Sequence, residues 1–99
     1  MTKTFEKLWS NCEDYHKDSS ESTSQEPINE ILMKFTVYQN VCNKEIPEEE
    51  KLKLKKRLMG EILFSLSKLS LIDNINIFTS LEEVFQYKAI EFYSFNQKK

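Results

Sequence analysis

The sequence predicts an all-α fold, a four-helix bundle-like arrangement in a single domain over residues 1–99. Three observations carry that prediction. One glycine and two prolines leave little material for β-turns. Leu, Lys, Glu and Ile are abundant, which favours helices joined by short loops. Apolar side chains recur every three or four residues through most of the chain, the period of a helix with one buried face. A chain of 99 residues is also near the lower end of what buries a self-sufficient core, so docking against a second copy through helices is expected, giving a homodimer.

The first helix is expected over about residues 4–17, where Phe5, Leu8, Trp9, Cys12 and Tyr15 form one broad apolar face opposite Glu6, Lys7, Glu13 and Asp14. His16 lies beside that stripe near the helix end, where an imidazolium meets the negative pole of the dipole. Residues 18–26, DSSESTSQE, have almost no apolar side chain to offset their ordering entropy and predict a mobile loop. Pro27 suits the first position of a second helix over about residues 27–43, carrying Ile28, Ile31, Leu32, Phe35, Tyr38 and Cys42 at the helical period.

Pro47 repeats the device, and Glu48, Glu49 and Glu50 sit where the positive end of the dipole favours them. The third helix is expected over residues 48–72, about 37 Å long at 1.5 Å per residue. Its first half is basic and amphipathic. Its second half is expected to bury Leu58, Met59, Ile62, Leu63, Leu66 and Leu69 and to show Glu61, Ser65 and Lys68 along a polar stripe. Gly60 costs about 1 kcal/mol of helix propensity, which makes sense where another backbone passes close by.

The turn at residues 73–76 offers Asn74 or Asn76 as a left-handed cap. Ser80 and Glu83 read as a capping box for a fourth helix over about residues 81–95. That helix is apolar on two sides: Leu81, Val84, Phe85, Ala89 and Phe92 on one, Tyr87, Ile90 and Tyr93 on the other. The second side is too large to leave in water, so Tyr87, Ile90 and Tyr93 are the expected interface with a partner subunit.

Several function classes are excluded by what surrounds these elements. With 14 basic and 16 acidic residues interspersed, the net charge is −2 and nucleic acid finds no footprint. The basic run Lys51 to Arg57 follows three glutamates and reads as an exposed, salt-bridged helix. No apolar stretch has signal-peptide length, and the most hydrophobic region is interrupted by Gly60, Glu61 and Lys68. The expectation is therefore a cytoplasmic protein with no membrane association. Cys12 and Cys42 each fall on an apolar stripe and read as buried free thiols. Together with His16 they are too few for zinc. There is no glycine-rich phosphate loop and no serine in a Gly-flanked elbow.

The run from Gly60 to Tyr93 has an acidic residue directly after a small one, then ILFSLSKLS, an Ile-Asn turn, LEEVF and a lysine before an aromatic-rich end. In these features it resembles the later half of the MazG-like all-α nucleotide pyrophosphohydrolases. The segment INEILMKF is similar to that family's earlier acidic helix, so the resemblance covers about two thirds of the chain. It implies a Mg²⁺ ion held by two glutamates on one helix and a glutamate and an aspartate on the next. It also implies cleavage of a nucleoside triphosphate to monophosphate and pyrophosphate, with a last-helix lysine at the phosphates. Hard Mg²⁺ takes oxygen ligands, and carboxylates one helical turn apart project from one face to supply them.

Residue by residue, Glu30 matches the first acid of the earlier helix, while Met33 and Lys34 stand one turn later. Glu61 stands where the family has aspartate, Leu58 occupies the preceding glutamate position, and Lys88 matches the lysine. The resemblance thus makes Glu30 and Glu61 the candidate Mg²⁺ ligands and Lys88 the candidate phosphate ligand, in a centre keeping two of four carboxylates. The expectation is a nucleotide-binding relative with weak or lost hydrolysis. The alternative is a non-catalytic helical interaction protein of the regulatory or immunity type. The residues themselves leave a plainer reading open, since Glu30 with Lys34, Arg57 with Glu61 and Lys88 with Glu91 sit at ordinary surface-pair spacings.

Overall fold

The computed structural model describes residues 3–17 and 23–97. Four helices follow one another: α1 Lys3–His16, α2 Gln25–Cys42, α3 Glu48–Ile72 and α4 Ile77–Gln97, with no strand among the described residues. The expected loop over 18–26 falls largely outside the described residues. Its last two residues, Gln25 and Glu26, already belong to α2.

The helix starts show how local chemistry sets the boundaries. At α2, Glu26 N donates to Thr23 O and Ile28 N to Ser24 O, so the first turn forms ahead of Pro27. Pro27 is then the third helical residue, where its missing N–H still loses no helical bond, and its ring is fully buried. Pro47 is the N-cap of α3, one position earlier than a first-turn proline. At α4 the expected capping box is not the start. Asn76 Oδ1 accepts from Phe78 N at 2.9 Å and Thr79 N at 3.1 Å, which begins the helix at Ile77, and Ser80 Oγ donates back to the Asn76 carbonyl.

The turn between α3 and α4 is closed from both ends. Asn74 takes the left-handed conformation at φ 55°, Ile75 N donates to Ser70 O at 2.9 Å, and Asp73 N donates to Leu69 O at 3.0 Å. These bonds satisfy the last carbonyls of α3 and fix the direction in which α4 leaves.

Packing is concentrated on α3, with α2 antiparallel along one side and α1 across its C-terminal half. The buried apolar side chains are Trp9, Val41, Leu58 and Ile62, with Pro27. Trp9 sits edge-on to Phe78, 6.4 Å between ring centroids, and Phe78 is 6.0 Å from Phe5, which pins the first turn of α4 to α1. Beyond that turn α4 packs along neither α2 nor α3.

The face that α3 buries matches only part of the expected one: Leu58 and Ile62 are buried and Leu66 and Leu69 half-buried, but the rest departs from it. Ser65, Ser67, Lys68 and Ser70 are buried, whereas Met59 and Leu63 are 55 % and 43 % exposed. The reason is that α3 is covered from two directions. The serines let α1 approach closely, with Ser67 Oγ and Ser70 Oγ donating to Phe64 O and Ser67 O within α3 itself. Lys68 stretches along the α2 seam to an ion pair. Two more expectations change. Cys42, at the last residue of α2, is exposed, and among the described residues no backbone passes close to Gly60, where an added Cβ would meet nothing within 4 Å.

Candidate functional site

The seam between α2 and α3 gathers the sequence-derived candidates. Because the helices run antiparallel, residues four apart on α2 meet residues three to six apart on α3, and a row of polar rungs results. Lys68 Nζ donates to Glu26 Oε1 at 2.8 Å, Ser65 Oγ to Glu30 Oε1 at 3.5 Å, and Lys34 Nζ to Glu61 Oε1 at 2.7 Å. The row continues with the Lys55 ammonium 6.0 Å from the Tyr38 ring centre, and ends with Lys51 Nζ donating to the Cys42 carbonyl at 3.3 Å. Glu30 and Glu61 therefore lie on adjacent rungs of one seam, linked through Ser65 and Lys34.

Glu61 is the most committed carboxylate in the row. Its Oε1 takes Lys34 and its Oε2 takes Arg57 Nε at 3.2 Å, while its side chain is 35 % exposed. The hydrogen bond from Lys34, then that from Arg57, holds its carboxyl below the usual 4.5, against a smaller upward push from desolvation. The plainer pairing thus holds for Arg57 with Glu61. Lys34 reaches across the seam to Glu61 in place of its own-helix neighbour Glu30.

A resident Mg²⁺ does not fit this arrangement well. The ion takes oxygen ligands at about 2.0–2.1 Å in an octahedron, and here both oxygens of Glu61 already accept from cations that would repel it. Among the described residues no group of three His, Cys, Asp or Glu side chains is placed to hold a metal. The chemistry the seam does support is that of a clamp. Two ion pairs of opposite polarity, Lys68 with Glu26 and Lys34 with Glu61, hold the two antiparallel helices in one register, because a slip along the seam would separate both pairs.

Lys88 stands on α4, exposed, with no ion pair to Glu91 among the described residues. No contact joins it to the two glutamates. Tyr87, Ile90 and Tyr93 are likewise exposed, at 74 %, 65 % and 63 %. They share their helix with Leu81, Val84, Phe85 and Phe92, each more than half exposed as well. His16 is the last residue of α1, where the sequence placed it, and it is buried. Its Nε2 lies 3.2 Å from the Phe64 carbonyl, and its ring lies 4.5 Å from the Phe64 ring.

Two hollows border α1, and a third, of about 520 Å³, lies on α4 beside Glu83, Gln86, Tyr87 and Ile90. One, of about 530 Å³, lies between α1 and the α3–α4 turn and includes Glu6, Glu13, Ser70 and Asn76. Its Ser70 hydroxyl is engaged with Ser67 O and Glu13, so it offers no activated nucleophile. The other is an apolar trough of about 180 Å³ between α1 and α3, formed by Phe5, Leu8, Cys12, Leu63 and Phe64 around Gly60, with Trp9 at its side. The trough carried no separate signal in the sequence, because its residues were assigned to a buried core.

No protein-family model matches the chain, and no curated protein or solved structure matches it. No helix among the described residues is long and apolar enough to cross a membrane.

Proposed function

We propose that this chain is a MazG-like nucleotide pyrophosphohydrolase relative that has exchanged hydrolysis for association: a non-catalytic helical interaction protein working through α4. The observation that carries this reading is α4 itself. Its apolar side chains on both sides stand in solvent, held out by a turn that is fully hydrogen-bonded. An exposed apolar surface this size is what a docking helix needs. The loss of hydrolysis follows from the seam, where Lys34 and Arg57 satisfy the carboxylate that the resemblance assigns to the metal.

A second reading is favoured by one observation, the adjacency of Glu30 and Glu61 on the same seam. It is a nucleotide-binding relative in which those two acids meet Mg²⁺ and Lys88 a phosphate. One experiment separates the two. Thermal denaturation is followed with nucleoside triphosphates and monophosphates at millimolar concentration, with and without Mg²⁺, alongside a pyrophosphate-release assay. The interaction reading expects an unchanged melting temperature and no pyrophosphate. A Mg²⁺-dependent rise with a nucleoside triphosphate would replace it with the second reading.

A further inference from the structure

Resting on the reading of α4 as a docking helix, we infer that its partner is a second copy of this chain. The α4 stripe of each protomer lies in the apolar trough between α1 and α3 of the other. The chain presents both halves of such a contact. The stripe is Leu81, Val84, Phe85 and Phe92, exposed by 53–67 %, with the long stem of Lys88 on the same face between Val84 and Phe92. The trough walls are Phe5, Leu8, Leu63 and Phe64, exposed by 40–57 %. A two-fold exchange covers stripe and trough of both chains at once, the self-complementary form of a closed dimer. At about 200 Å² per large side chain, of which roughly half is exposed, these eight residues offer on the order of 800 Å² per protomer, matching the roughly 800 Å² that a standard stable interface takes from each partner.

The chain's own α4 does not fill its own trough. Its exit is set by the Asn74 turn, by the Asn76 cap and by Phe78 resting against Phe5 and Trp9, and folding back would break all three. The size of the molecule agrees. The Cα radius of gyration is 17.1 Å, against about 13 Å for a compact domain of 100 residues, so the protomer is extended and has left apolar surface outside.

Gly60 is the third observation. It lies in the trough, costs helix propensity, and has nothing within 4 Å of an added Cβ. Within one chain its lack of a side chain has no use. Under a helix from a second chain it lets the two backbones come together.

The test uses the full chain. Sedimentation at roughly 100 µM should give twice the chain mass, and Gly60→Leu, whose added Cβ meets nothing within 4 Å in its own protomer and which raises helix propensity, should keep the helical circular-dichroism spectrum while weakening self-association by about 100-fold. In a Cys42→Ser background, Val84→Cys should form an oxidative cross-link with Cys12 between chains, at dimer mass on a non-reducing gel, and Cys12→Ser should abolish it. A wild-type chain that sediments as a monomer overturns the inference. So does a Cys12 cross-link at monomer mass, which would put α4 in its own trough. A cross-link that survives Cys12→Ser overturns it too, by pairing α4 with α4, as does full dimer affinity in Gly60→Leu. These outcomes bear on the second copy alone. Failure of the interaction reading itself would appear separately, as nucleotide-dependent stabilisation.

Discussion

Glu61 shows how a single substitution pattern changes what a carboxylate does. With a second acid one turn away on α2 it would face a divalent cation. With Lys34 at that place it accepts an ammonium at 2.7 Å and becomes part of a helix clamp. Its carboxyl is held below 4.5 in the folded chain, so the folded state prefers the ionised form. The sign follows by linkage: the contribution is complete above the unfolded value near 4.5 and disappears as pH falls through the lower folded value. Glu61→Gln is therefore expected to lower the urea midpoint at neutral pH and to match wild type well below pH 4.5. Parallel urea titrations at the two pH values check it. The wild-type advantage should also shrink in high salt, since the pair is about a third exposed.

Among the elements, α4 depends most on its ends, because it has few tertiary contacts along its length to hold it. Most helical stability in folded proteins comes from packing, and an unpacked helix leans on its cap and on the contacts of its first turn. Asn76 supplies two hydrogen bonds to that turn, so Asn76→Ala should cost about 1 kcal/mol. The expected readout is faster amide exchange over residues 77–81, with α2 and α3 unchanged. Helix α3 is the contrasting case. It is covered by α2 and α1, and its boundaries were legible because Pro47, the three glutamates and the Asp73 turn each mark an end by local chemistry.

The core of the whole molecule, Trp9, Val41, Leu58 and Ile62, is small, and large apolar side chains on every helix remain in contact with water. If the second copy covers them, folding and association are coupled, and the stability of the chain depends on its concentration. The melting temperature should then rise by several degrees across a hundredfold increase in chain concentration. A concentration-independent transition would mean that the protomer is self-sufficient.

The sequence alone determined the helical class, the number of helices and the limits of α3, because caps, proline placement and a three-to-four-residue apolar period act within a few residues of one another. It also showed that a centre of the kind the MazG resemblance implies would be short of carboxylates, since Met33, Lys34 and Leu58 are visible as letters. Tertiary structure decided which face each helix turns inward. It put Ser67 inside and Leu63 outside, started α4 four residues early, and joined Lys34 to Glu61 across the seam. The physical reason is that a helix with apolar residues all round has no preferred direction of its own. Its buried side is chosen by the neighbours that arrive, and the register of two antiparallel helices is chosen by charges far apart in the chain.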